Sequence, residues 1–245
     1  MSGAGDRFPS TRHSMLAAVQ GDDQAARQLG WDALVRAYWK PVYKYLRLQW
    51  RADAEAARDW TQEFFARALE KEFFARFDPQ RARFRTFLRV CVDGFVHNER
   101  AAQRRQKRGG GSTIVSLDFP TAEGELQGVE PPAPDRLDDY FHREWLRSLF
   151  EQALLELQRA CAAAGQQRRY EAFRRYDLEA PDRQQKLAYA DLARELDATV
   201  AQVTNWLHAT RAQLRTLLLA RLEQLCATDE EFRAEARALF GAGPP

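Results

Sequence analysis

Gln202, Asn205, His208 and Arg211 recur at three-residue steps, with Thr204 and Arg215 beside them. These side chains suit the edges of base pairs: Asn and Gln pair with adenine, and Arg with guanine or a phosphate. No acidic residue falls between positions 200 and 222. A second cluster lies at 76–108, where 10 Lys/Arg face 3 Asp/Glu. Such clustering is the usual footprint of a phosphate-backbone contact, the plain alternative being a solvated helix face. Bond-making chemistry finds little support. No Gly-rich phosphate loop follows a strand, no Ser-His-Asp or Cys-His arrangement stands out, and Gly109-Gly110-Gly111 lacks a P-loop frame. The expectation is a non-enzyme without a cofactor.

The first cluster needs an element that aims it. Over 186–196 and 200–226 the apolar spacing predicts two helices. Ala193 is small where they would touch, and Asp197, four residues on, stands at the turn, where Asp tolerates left-handed backbone. Leu192, Leu196, Val203 and Leu207 supply a small core, and Thr199 with Gln202 forms a capping box. This pattern predicts a helix-turn-helix whose second helix enters the major groove. The competing reading is an ordinary helical hairpin with a polar face. Trp206 suits packing or a backbone contact better than base reading.

The second cluster belongs to a block of predicted helices at 14–20, 31–50, 53–71 and 81–105. Pro41 should kink or break the second of these. Asp53 should cap the third, which buries Trp60, Phe64 and Leu69 or their neighbours. The fourth places Phe84, Phe87, Leu88, Cys91, Val92 and Phe95 along one side, and Gly109-Gly110-Gly111 ends it. Charge is unevenly shared. Residues 1–111 carry 21 Lys/Arg against 13 Asp/Glu, and 112–150 carry 3 against 8. Pro120, Pro131, Pro132 and Pro134 leave 112–139 little to bury, which reads as a linker. Further helices are predicted at 143–164, 168–178 and 230–240. No β-alternation is evident. The expected fold is all-α: two small helical domains, 1–111 and 140–226, joined by an acidic Pro/Gly-containing linker, 112–139, with a tail at 227–245.

Composition sets outer bounds. At 245 residues, 45% hydrophobic and 29% charged, the chain suits a globular protein of two small cores. Cys91, Cys161 and Cys226 are far apart, and His13, His97, His142 and His208 show no ligand spacing, so neither disulfide framework nor metal site is expected. No apolar run approaches the roughly 20 residues of a membrane span. Residues 1–6 lack a signal-peptide pattern, which points to the cytoplasm.

Four stretches carry a family resemblance. They are Trp31 through Tyr38-Trp39-Lys40-Pro41-Val42-Tyr43; Asp59-Trp60-Thr61-Gln62-Glu63-Phe64-Phe65-Ala66-Arg67; Phe84-Arg85-Thr86-Phe87-Leu88-Arg89; and Lys107-Arg108-Gly109-Gly110-Gly111. Together with the helix-turn-helix they resemble the bacterial RNA polymerase sigma factors of the extracytoplasmic-function type. Phe8-Pro9-Ser10-Thr11-Arg12 is similar to the start of one subgroup. The Asp-x-Thr-Gln-x-Phe-Phe run is the most specific piece.

The resemblance implies a dissociable, non-catalytic subunit with core RNA polymerase and promoter DNA, duplex and melted, as partners. The third helix would bind polymerase through Asp59, Gln62, Glu63, Phe64 and Arg67. The fourth would read and melt the downstream (−10) element through Arg85, Phe87, Arg89, Asn98, Arg100, Arg104, Arg105, Lys107 and Arg108. The helix-turn-helix would read the upstream (−35) element through Gln202, Thr204, Asn205, His208, Arg211 and Arg215. The two elements lie roughly 70 Å apart, within reach of a linker that stretches to about 90 Å. Two departures matter. Ala56-Ala57-Arg58 stands where family members usually carry acids, and Asp93-Gly94 stands where Arg-Asn is common. Phosphorylation of Thr61 would restore about −1.5 to −2 units of charge on the docking face; the plainer reading is an unmodified helix residue. An anti-sigma protein, a Ser/Thr kinase and the tail stand as alternative controllers. The competing reading of the whole chain is a stand-alone helix-turn-helix regulator with a ligand-binding or dimerisation domain.

Overall fold

Helix formers fill the periodic stretches, and the chain turns them into helices alone. The computed structural model describes residue 19 and residues 23–70, 73–103, 117–133, 136–179 and 188–241, and among these no strand occurs. The elements are α1 (Gln24–Leu48), α2 (Ala54–Glu70), a 3₁₀ turn (Phe73–Arg76), α3 (Phe84–Gln103) and α4 (Phe119–Gly124). They continue with α5 (Leu137–Ala163), α6 (Gln167–Phe173) running into a π turn (Arg174–Leu178), α7 (Tyr189–Glu195), α8 (Val200–Leu225) and α9 (Asp229–Phe240). No described helix is long and apolar enough to cross a membrane. The helix expected at 14–20 falls almost wholly outside the described residues.

Two compact units result: Met1–Ser148 with Leu222–Pro245, and Leu149–Arg221. In the first, α1 is buried on nearly every side, from Gly30 and Trp31 through Tyr38 to Leu46. A helix wrapped in this way has no solvated face to set its polarity, so its sequence looks only weakly amphipathic. Pro41 neither breaks nor ends it; the helix runs through and forgoes the one hydrogen bond that proline cannot donate. Asp53 caps α2, its carboxylate accepting from the Ala56 N–H at 2.8 Å. Around α1 the aromatics form one continuous cluster. Trp31 meets Phe65 and Phe74, Phe74 meets Phe84, and Tyr38 lies between Phe84 and Trp145. Ring pairs at these 5–6 Å separations add to the area they bury.

The linker expectation is corrected where the structure describes it. Residues 119–124 form α4, with Phe119 packed edge-on against Trp39 and Tyr43. Glu125 takes Lys40 at 2.5 Å and Lys44 at 2.6 Å, and Glu123 takes Arg47 and the Tyr43 hydroxyl. Lys44, 1% exposed, is also bound by Glu144 of α5 at 2.5 Å. Acids that composition suggested were solvated are instead the counter-charges of cations buried on α1. The first unit accordingly extends to Ser148, beyond the boundary expected at 111.

In the second unit, Leu149, Ala153, Leu157 and Cys161 of α5 are buried, as are Phe173, Leu192, Ala193, Val203, Leu207, Thr210, Leu214 and Leu218. Arg169 ties α6 to α8 by donating to Thr210 Oγ1 at 2.9 Å and Gln213 Oε1 at 2.8 Å.

Candidate nucleic-acid interface

The helix-turn-helix segment is built by local rules. α7 ends in a Schellman-type turn: the Ala198 N–H donates to the Ala193 carbonyl at 2.9 Å, and Asp197 stands at φ +50°. Thr199 and Gln202 then cap α8 reciprocally. The Gln202 N–H donates to Thr199 Oγ1 at 3.2 Å, and Gln202 Oε1 accepts from the Thr199 N–H at 2.8 Å. Leu192, Ala193, Leu196, Val203 and Leu207 are all buried.

On the opposite face, Gln202, Thr204, Asn205 and His208 are exposed. Their availability differs. Gln202 spends its carbonyl oxygen on the cap, and Thr204 donates its hydroxyl to the Val200 carbonyl at 2.9 Å. Arg211 is exposed too, but paired. Asp177 of the π turn holds it at 2.9 and 2.8 Å, and its guanidinium lies over the Tyr176 ring at 5.7 Å. Arg215 is half-buried on the same helix. Asn205 and His208 remain the most openly presented of the six.

The expected −10 residues are arranged otherwise. Arg104, Arg105, Lys107 and Arg108 lie outside the described residues. Arg85 is buried, 8% exposed, and donates at 2.5 Å to Glu235 of α9. Arg89 donates to Asp138 of α5 at 2.5 Å and to Asp93 at 3.0 Å. Arg100 lies over Trp50 at 4.8 Å and Trp60 at 5.7 Å, and donates to the Trp50 carbonyl at 2.5 Å. Phe87 is half-buried against Phe77 and Phe84, and Asn98 is exposed. Thus Arg85, Arg89 and Arg100 each have partners within the chain, although Arg100 remains exposed.

Asp93, which the sequence marked only as a departure from pattern, is the hub behind this face. It accepts from the Tyr45 hydroxyl and the Trp50 indole, each at 2.9 Å, besides Arg89. Burial chiefly, with Asp93 adding, pushes the Tyr45 hydroxyl well above its ordinary pKa and keeps it a neutral donor.

On α2, Asp59 is exposed 3.6 Å from Arg58, Gln62 is half-buried, and Glu63 holds Arg67 at 2.6 Å. Arg67 also reaches Glu99 of α3 at 2.5 Å and covers the Phe95 ring. Phe64 is buried, as the helix periodicity expects: it has no exposed surface and packs against Phe65 and Phe95. Thr61 fits the plainer reading of an unmodified helix residue. It shares the buried stripe of Ala57, Phe64 and Ala68, is fully buried, and donates its hydroxyl to the Ala57 carbonyl at 2.7 Å. No phosphate acceptor is presented at that position in this structure.

The chain was compared with protein-family models, with curated proteins and with solved structures. None of the three comparisons gave a match. The family resemblance therefore rests on the motifs within the chain itself.

Glu235 is the residue that sequence reasoning missed. It is 1% exposed and accepts from Arg83 at 2.7 Å and Arg85 at 2.5 Å through one oxygen, and contacts His142 at 3.1 Å through the other. Burial alone would raise its pKa, but the hydrogen bonds with His142 and Arg85 outweigh it and hold the carboxyl at about 2. Nothing in its sequence neighbourhood distinguishes it from a solvated helix acid.

Proposed function

We propose that the chain is a promoter-recognition subunit of bacterial RNA polymerase, a sigma factor of the extracytoplasmic-function type working in the cytoplasm. The observation that carries this reading is the α7–α8 segment. Its αL turn at Asp197 and reciprocal Thr199–Gln202 cap present Asn205 and His208 outward on a helix free of acidic residues between 200 and 222. A helix presented in this manner lies in the major groove with its first turns at base edges. The Asp-Trp-Thr-Gln-Glu-Phe-Phe run on α2 supports a polymerase-docking role, with Asp59, Gln62, Glu63 and Arg67 as the polar surface of that helix. The arginine-rich start of α3 supports contact with the downstream element, where a melted strand needs cationic donors and stacking faces.

In this reading the subunit carries no chemistry. It lends core polymerase two DNA contacts, one at each promoter element. Purified chain mixed with core polymerase should co-elute in gel filtration, and the pair should start run-off transcripts from a genomic promoter library. A chain that runs apart from core polymerase and binds duplex DNA unaided, as a dimer on a palindrome, is instead the stand-alone regulator.

A further inference from the structure

α9 is a well-specified helix. The Glu231 N–H donates to Thr228 Oγ1 at 3.1 Å, Glu231 in turn accepts from the Ala227 N–H at 3.0 Å, and Gly241 closes the far end at φ +79°. Glu235 and Ala236 are buried, and Glu231, Phe232, Ala234, Leu239 and Phe240 are half-buried. The centre of the contact is one carboxylate receiving two guanidinium groups and an imidazole. Two arginines converging on an anion form the arrangement that also binds phosphate, where charge-assisted hydrogen bonds are strongest. These arginines, Arg83 and Arg85, stand at the first turn of α3, the helix assigned above to the melted strand.

We infer that α9 is an internal stand-in for a nucleic-acid strand: Glu235 occupies the site on Arg83 and Arg85 that a DNA phosphate takes when α9 leaves. The inference rests on the DNA-binding role proposed for α3. A helix whose central contact is ionic is suited to this exchange, because the competitor supplies the same charge to the same donors. The buried pair tolerates replacement by another anion far better than it tolerates vacancy. Free chain is thereby kept from binding stray single strands until a stronger interaction draws α9 away.

The test uses the full chain and a fluorescein-labelled, mixed-sequence single strand of about 20 nucleotides. Binding is read by anisotropy, and hydrogen–deuterium exchange is followed at 229–240 and, as a fold control, at 31–46. Saturating DNA should remove protection from 229–240 in the unaltered chain while 31–46 stays protected. Glu235→Gln should release α9 and tighten DNA binding roughly ten-fold, as expected when the competent state rises from about a tenth to most of the population. Glu235→Asp, which keeps the charge, should stay near the unaltered chain. Protection at 229–240 that persists under saturating DNA overturns the proposal, and that arm needs no substitution. So does a Glu235→Gln chain with α9 released and affinity unchanged. Co-elution with core polymerase is read separately: α9 released by DNA in a chain that ignores polymerase would keep this inference and end the sigma-factor reading.

Discussion

Asp197 sits at φ +50°, where a β-carbon is crowded, and the turn between α7 and α8 depends on it. Asp197→Gly should raise the thermal midpoint slightly, whereas Asp197→Val should cost about 1–2 kcal/mol. Equal midpoints for the two would mean the turn is not strained there. Asp93 carries a different burden, because Tyr45, Trp50 and Arg89 all donate to it. Asp93→Ala strands these donors and should cost about 2–3 kcal/mol in urea unfolding, with Asp93→Asn, which keeps an acceptor, losing less. An unchanged midpoint for Asp93→Ala would show that solvent serves these donors as well. These two acids also mark what single residues reveal. Asp197, Thr199 and Gln202 were legible because a turn and a cap are settled within five residues of sequence. Asp93 and Thr61 were not, because residue type alone does not say which side of a helix faces the core.

Helices were legible from periodicity, down to the cap at Asp53, but their partners were not. α1 carries Lys40 and Lys44 on faces that are buried, and the acids that neutralise them lie 81–100 residues away at Glu125 and Glu144. Proline content alone made residues 112–139 look like a tether, because local composition cannot see a counter-charge that distant. Lys44→Met should leave Glu144 buried and unpaired on that side and cost about 3–5 kcal/mol. Pairing it with Glu144→Leu should recover much of the loss, and a double variant as weak as the single one would show that packing, not charge, decides. α9 permits a prediction in pH. Glu235 is held at about 2 against an ordinary 4.5, so it stabilises docking above about 4.5 and loses that contribution as pH falls toward 2. Arg83, Arg85, His142 and Glu231 face or neighbour it. Glu231 is raised, mainly by burial, so its protonation at low pH favours docking and delays the release. Exchange at 229–240 should therefore quicken on acidification only below about pH 4.5, before α1 opens. Release that instead begins on raising the pH from 7 would assign the hold to another group.

At the scale of the molecule, several cations of residues 1–111 are paired within the chain. Arg89 pairs with Asp138, Arg83 and Arg85 with Glu235, and Arg47 with Glu123. The net charge of +2 conceals this arrangement, since it averages a cationic surface with the acids laid over it. If DNA takes these arginines as proposed, a chain that covers them should show a weakened response to salt. Salt reduces the entropy gained when counterions are released from DNA, which weakens binding, but it also loosens the internal pairs, which frees binding sites. The two effects oppose each other in the unaltered chain. Asp138→Asn with Glu235→Gln removes the second effect and leaves the first. The logarithm of single-strand affinity against the logarithm of salt should then steepen by roughly 1–2, since each arginine set free to meet a phosphate contributes about 0.7. Anisotropy titrations between about 50 and 300 mM salt measure it, a range over which screening lengths shorten several ångströms. Parallel slopes for the two chains would mean that these acids do not compete with DNA, and that the arginines of α3 serve the fold alone.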